Sequence, residues 1–340
     1  MKHTKFAVMG ATGAVGEEML RVLFEYGVPA ANVMALASGR SAGKTLKFGD
    51  ETLTVRECTP DAFAGTEIVL GATEADTART MAPHIRESGA VFIDNSSAFR
   101  LLDGVPLVIP EINGDDALSH RGVIANPNCS TIITLMAIAP LIRLAPVERM
   151  VVSTYQAVSG AGRGGMEDLI AEREALVRGD SVSPRTFAHP IAENLIPKIG
   201  SVDENGYTSE EMKMQNESRK ILHLPALSVT CTCVRVPVMR SHAISVALYF
   251  SESFSVAAAR AAYRDFPGVI LVDEPEKERY SMPILSGGKN EVFVGRIRKT
   301  LDSPNGIALF CSGDQIRKGA AANAVQIAAL LCDEKRKRIP

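Results

Sequence analysis

Residues 5–16 read KFAVMGATGAVG, and this stretch decides the fold. An apolar run at 6–9 has the length of a short strand, glycines follow at 10, 13 and 16, and residues 14–26 read as a helix. Strand, glycine turn and helix in that order open a dinucleotide-binding unit. Tight turning, close approach to a pyrophosphate and packing of helix on strand each have a glycine available in Gly10, Gly13 and Gly16. Ala11, Thr12, Ala14 and Val15 complete the turn as candidate cofactor contacts. Taken alone, the same spacing also suits glycines that only permit a tight turn.

Working outward, short apolar runs recur at 33–37, 67–70, 90–93 and 123–125, with helical character at 76–88. Such alternation predicts an α/β domain with a mostly parallel, doubly wound sheet. Beyond about residue 149 the runs at 150–158, 228–238, 243–250 and 291–297 are longer and rich in β-branched residues. They predict a mixed or antiparallel sheet in a second, α+β domain, with helices near 165–177 and 256–266 and a strand at 307–311 closing the sheet. The polar, proline-bearing stretch 179–207 is too long for a simple turn and is a candidate lid or dimer arm. An alanine-rich helix at 314–332 is expected to return to the first domain. The expected division is therefore 1–128 with 314–340, and 129–313.

Composition narrows the function classes. The chain has 340 residues, 46% hydrophobic and 22% charged, as in ordinary globular proteins. Lys and Arg number 37 against 39 Asp and Glu, a net charge of −2, which lacks the basic footprint of a nucleic-acid binder. No apolar run approaches ~18 residues, so no membrane span is expected, and the run at 6–9 is too short for a signal peptide. A cytoplasmic protein is expected. The six cysteines form no dense disulfide pattern. Cys231 and Cys233 face one side of an apparent strand without a second ligand pair at zinc spacing, and no metal site is expected.

Two further segments carry chemistry. In ASGRSAG, residues 37–43, the place where an NAD site usually has a carboxylate offers Ser38, Arg40 and Ser41 instead. Hydroxyls and a guanidinium suit a 2′-phosphate, which favours NADP over NAD. An exposed arginine in a loop is the alternative. In ANPNCSTI, residues 125–132, Pro127 ends a strand and a helix is expected from Thr131, leaving Cys129 at the helix N-terminus. Helix dipole and free N–H groups stabilise a thiolate there, and those groups or the Asn128 amide can hold an oxyanion. A thiolate's chemistry calls for an acid/base partner. Of six histidines, His242 in VRVPVMRSHA (234–243) follows a proline break, where a strand end can present an imidazole to a cleft, a satisfied interface histidine being the alternative, while Arg235 lies in an apolar strand. A buried arginine needs an anion, either an internal carboxylate or a substrate one.

Taken together, GATGAVG (10–16), SSAFR (96–100), ANPNCSTI (125–132), YQAVSGAGRGG (155–165), SEEMKM (209–214), RVPVMRSHA (235–243) and RKGAAANAVQ (317–326) resemble the bacterial aspartate-β-semialdehyde dehydrogenases in order and spacing. The resemblance covers nearly the whole chain. It implies a Rossmann-type NADP-binding domain, a catalytic and dimerisation domain, and reductive dephosphorylation of aspartyl-4-phosphate to aspartate-4-semialdehyde and phosphate through a cysteine thioester. Such a step serves lysine, threonine, methionine and diaminopimelate biosynthesis. The resemblance further implies Cys129 as nucleophile with Asn128 beside it, Gln156 orienting the acyl group and His242 as general acid/base. Arg235 would grip the substrate carboxylate, Arg100 and Lys213 the phosphate, and Glu210 the amino group. Ser159, Gly160, Gly162 and Asn323 would lie along the cofactor. GATEADT (71–77) departs from the usual glycine-rich loop, which leaves contacts from Thr73 in doubt. A homodimer is implied, with pairing of dimers left open. The competing readings are an N-acetylglutamyl-phosphate reductase, whose uncharged substrate nitrogen gives Glu210 no cation to meet, and a non-catalytic homologue that binds nucleotide.

Overall fold

In the computed structural model, which describes residues 1–337, strand β1 (Phe6–Met9) sends Phe6 and Val8 into one hydrophobic cluster and Ala7 and Met9 into another. A strand buried on both faces belongs inside a sheet covered on both sides. β2 (Val33–Ala37), β3 (Arg56–Glu57), β4 (Ile68–Gly71), β5 (Val91–Asp94) and β6 (Val123–Ala125) complete that sheet, all parallel, in the order β3-β2-β1-β4-β5-β6. Helix α1 (Ala14–Glu25) and the helix Ala322–Lys337 cover the face of Phe6 and Val8, and α2 (Ala75–Glu87) covers the other. Each Val, Leu, Ile or Phe so buried contributes ~1.5–3 kcal/mol. The chain leaves β1 for β2 on one side and returns through β4 on the other, so a switch point lies beyond the carboxyl end of β1, where open α/β sheets bind ligands. A hairpin, Thr45–Phe48 with Glu51–Thr54, was not foreseen from the sequence.

Met1–Asn128 and the chain from Ala320 form this first unit, and Cys129–Gly319 form a second. The return falls at Ala320, later than the 314 expected, for a local reason. The Asp314 carboxylate accepts the Ile316 and Arg317 N–H groups at 2.9 and 3.0 Å, and its carbonyl accepts Gly319 N–H at 3.0 Å. The backbone is thereby wound into a wide π turn, Arg317–Ala321, before the last helix begins.

The second unit opens with α3 (Cys129–Ile142) and is built on β7 (Val147–Gln156), β8 (Ser228–Arg235), β9 (His242–Phe250), β10 (Val269–Leu271), β11 (Val292–Lys299) and β12 (Gly306–Gly313). The order is β8-β7-β9-β12-β11-β10, with β7/β8 and β10/β11 parallel and the other pairs antiparallel. The strand expected to close this sheet therefore lies in its interior, because order is set by long-range pairing that an apolar run does not encode. α3 is buried from Ser130 to Leu141 and packs on β9, β11 and β12. The longer of the remaining helices are α4 (Gly162–Arg178), α5 (Ser209–Ile221) and α6 (Val256–Ala262), and a single turn, Pro283–Ser286, is also helical.

Residues 179–207 hold no helix or regular strand, yet they are pinned along their length. Two buried carboxylates of α4 do this: Asp168 accepts the N–H groups of Arg185 and Thr186, and Glu172 those of Ile191 and Ala192. Ile196 then exchanges backbone hydrogen bonds with Arg235, at 2.9 and 3.0 Å. The stretch is thus tied to the second unit at residues 185–186, 191–192 and 196. Among the described residues, no helix is long and apolar enough to cross a membrane.

Candidate active site

Strand pairing in the second unit gathers side chains that stand far apart in sequence. Gln156 ends β7, Arg235 ends the parallel β8 directly opposite it, and His242 begins the antiparallel β9. All three therefore stand at one edge of the sheet. Cys129 is the first residue of α3, and its Sγ lies 3.4 Å from His242 Nε2. On α5, Glu210 and Lys213 are one turn apart and paired at 3.0 Å, and Glu210 also accepts a hydrogen bond from Gln156 Nε2 at 3.3 Å. A capping box at Thr208 and Glu211 fixes the start of that helix. Every catalytic and substrate residue expected in this unit thus falls within one connected cluster.

The turn after β7 supplies its floor. Ala157 N–H donates to His242 Nδ1 at 3.0 Å, and Ala157 C=O accepts from Arg235 at 2.7 Å. Gly160 faces both side chains, since a Cβ there would lie 2.7 Å from the Arg235 guanidinium and 3.2 Å from the imidazole. A Cβ on Gly319 would lie 2.9 Å from that of Cys129. Sequence reading missed Ala157 and Gly319. The glycine was visible in RKGAAANAVQ, but there it read as part of a helix.

Electrostatics assign states to these groups. Burial, reinforced by the Arg235 charge and opposed by Glu210, pushes His242 down to about 3, so the imidazole is neutral. A backbone N–H can only donate, so Nδ1 is the acceptor and the ring proton sits on Nε2, facing sulfur. Burial also lowers Arg235, yet a guanidinium stays cationic. It lies over the Phe187 ring at 5.9 Å and has no ion-pair partner among the described residues. An unpaired buried cation beside a thiol is a docking point for a carboxylate. Elsewhere, burial pushes the Cys58 thiol up to about 11 and raises Cys311, while the contact with Cys233 raises Cys231.

The first unit carries the remaining candidates. A dinucleotide fits the turn Gly10–Gly16 on the evidence of what is missing from it. Gly10 has φ +82°, and a Cβ there would meet Ala72 O at 2.3 Å; one on Gly16 would meet Gly10 O at 2.2 Å. Gly13, the N-cap of α1, has no capping side chain, which leaves the helix terminus to an anion. The neighbouring Thr73, in the loop whose contacts were in doubt, sets its methyl Cγ2 against Gly10, and its hydroxyl is buried without a partner among the described residues. Ser38, Arg40 and Ser41 form an exposed single turn after β2. The sequence shows no carboxylate in this loop, but folding supplies one: β3 brings Glu57 to 2.8 Å from where a Gly39 Cβ would lie. Arg100 is buried and donates to the Asn95 and Asn126 carbonyls, while Asn323 donates to Val108 O and Asn126 Oδ1. Asn128 ends this unit, buried. Among the described residues no group of three or more His, Cys, Asp or Glu is placed to hold a metal ion.

Known proteins resemble this chain along nearly its whole length. Family models described as "Semialdehyde dehydrogenase, NAD binding domain" and "Semialdehyde dehydrogenase, dimerisation domain" match residues 5–120 and 138–318. The aspartate-semialdehyde dehydrogenase of Synechocystis sp. is 46% identical over 329 residues, 97% of each chain. That of Bacillus subtilis is 42% identical over 333 residues, 96% of each. The crystal structure of aspartate semialdehyde dehydrogenase II from Vibrio cholerae, complexed with ASA, superposes with a TM-score of 0.95 at 39% identity, covering 98% of this chain and 99% of its own.

Proposed function

The chain belongs to the aspartate-semialdehyde dehydrogenase family, and we propose that it reduces aspartyl-4-phosphate to aspartate-4-semialdehyde with NADPH, reversibly, as a step of amino-acid biosynthesis. The observation that carries this reading is the Cys129–His242 contact beside a buried, unpaired arginine. The N-acetylated alternative gains no support from the relatives, which are named for the aspartate enzyme.

In the proposed reaction Arg235 holds the α-carboxylate, Glu210 faces the amino group, and Arg100 and Lys213 neutralise the phosphate. The Cys129 thiolate attacks the acyl carbon, with Gln156 orienting the acyl group. A C–S bond forms, the C–O bond breaks, and phosphate leaves with the one proton that the overall reduction consumes. NADPH bound at Gly10–Gly16, along Ser159, Gly160, Gly162 and Asn323, supplies the hydride. His242 Nε2–H donates to the oxyanion that follows, and collapse of that oxyanion releases the aldehyde and the thiolate. From thiolate to thiolate this half of the cycle needs no net proton. The expected general acid/base is thereby narrowed to a hydrogen-bond donor whose tautomer Ala157 sets.

NADP is preferred in this reading on account of Arg40, with Glu57 as the opposing charge. A homodimer is proposed through the β7 face, where Val151 and Tyr155 remain 40% and 38% exposed. Six free thiols are in keeping with a reducing, cytoplasmic setting. The decisive assay is NADP reduction with aspartate semialdehyde. It should require inorganic phosphate, and phosphate-independent oxidation to the free acid would overturn the reading.

A further inference from the structure

The residue before His242 adopts a conformation that its side chain disfavours. Ser241 has φ +78°, in the left-handed region, and is completely buried. Such a residue persists only where its surroundings over-determine it. Here they do. Its N–H donates to Gln315 Oε1 at 2.8 Å, and the Gln315 amide in turn donates to the Ser159 hydroxyl. Its hydroxyl lies 2.5 Å from that of Ser286, Ser286 donates to Ser312 at 3.0 Å, and Ser312 lies 2.7 Å from Ser281. Ser281 finally donates to the Phe293 carbonyl at 2.9 Å, and Ser286 also lies 3.4 Å from the Met282 and Pro283 carbonyls, so every hydroxyl in the chain is satisfied. All of these hydroxyls are buried, and the chain ties the start of β9 to β12 and β11. On the other side of Ser241, Arg240 is anchored to the buried Asp314 at 2.5 Å.

We infer that Ser241 is a positioning residue for His242: the buried serine chain and Gln315 lock a left-handed turn that aims imidazole Nε2 at Cys129 Sγ. A glycine would adopt the same φ without strain and keep the N–H bond to Gln315, but it would lose the hydroxyl link that ties the turn to Ser286. None of these serines touches sulfur or imidazole nitrogen, so their influence on the reaction passes through the aim of the ring. This inference rests on the proposed activity for its turnover arm only.

The test uses the full-length protein with Ser241→Gly, which relieves the backbone, and Ser286→Ala, which cuts the chain one link away. Three readouts are taken: kcat, KM for aspartate semialdehyde and phosphate, and the pH profile of Cys129 alkylation by iodoacetamide in the free enzyme. The charged groups that face the pair, Arg235 and Glu210, are unchanged in both variants. We expect kcat to fall about tenfold with KM within about twofold, since misplacement of a reacting group costs rate more than affinity. The alkylation midpoint should move by about half a unit as Sγ loses its aligned donor. Ser241→Gly should melt no lower than wild type, which separates aim from folding. A folded Ser241→Gly variant with wild-type kcat and an unshifted alkylation profile overturns the inference. Equal losses in kcat and KM with an unshifted profile would also overturn it, because a merely structural role predicts that pattern. If the wild-type protein oxidises no aldehyde, the proposed function fails, while the alkylation arm still decides the role of Ser241.

Discussion

The glycine turn of the first unit and the strand-edge cluster of the second are built on opposite principles. The turn is contiguous, made of backbone groups and absent side chains, and a Cβ at Gly10 or Gly16 would run into main-chain oxygen. The cluster is made of side chains from Cys129, Gln156, Glu210, Arg235 and His242, carried by α3, β7, α5, β8 and β9. A substitution in the turn attacks conformation itself, whereas one in the cluster removes a chemical group and leaves the scaffold standing. On the proposed function, nucleotide binding and covalent chemistry should therefore be separable by mutation.

The largest effect expected from that separation is at the nucleophile. Cys129→Ala should abolish turnover while NADPH titration shows unchanged affinity, and Cys129→Ser should keep a trace at most, an alcohol being far less ionised than a thiol. Near wild-type rates in either would end the covalent mechanism. Next comes Arg235→Lys, which keeps charge but loses the fork that grips a carboxylate. A fall in kcat/KM of about 100-fold is expected, with Cys129 alkylation in the free enzyme unaltered. If alkylation slows in parallel, Arg235 sustains the thiol and not the substrate.

On the nucleotide side, Arg40→Ala should weaken NADPH binding by ~1.5–3 kcal/mol, roughly tenfold to hundredfold, and spare NADH. Glu57→Gln should shift preference the opposite way by removing like charge near the phosphate. Parallel losses for both cofactors would show that Arg40 does not read the 2′-phosphate. The smallest effect concerns the neutral state of His242. Its value near 3, against 6.5 unfolded, means that the unfolded chain binds more protons between those pH values, so stability falls as pH drops through that window. Denaturant melts at pH 6.5 and 5 should show a drop about 1.5 kcal/mol smaller in His242→Asn than in wild type. An identical drop in both proteins would mean that the imidazole is not held neutral.

The same contrast explains what the sequence could reveal. A contiguous motif states its own geometry, so β1, the turn and α1 were legible from residues 5–26. The cluster was legible one residue at a time: Cys129 from its helix start, His242 and Arg235 from the break at Pro237. Their assembly depended on the register of Gln156 with Arg235, which no local pattern encodes. Resemblance to a family supplied Glu210 and Lys213, a pair that periodicity alone reads as a solvated helix face. Ala157 escaped notice because it works through its backbone, and Glu57 because it reaches the Ser38–Ser41 loop only through the pairing of β2 with β3.

Ala157 has one more implication. Its N–H holds the imidazole and its carbonyl holds the guanidinium, so the groups proposed to address the two ends of the substrate hang from a single residue. Their separation is then set by one residue's N–H and C=O and by two hydrogen bonds, as in the jaws of a caliper. A longer substrate would have to be accommodated by stretching or breaking one of those two bonds.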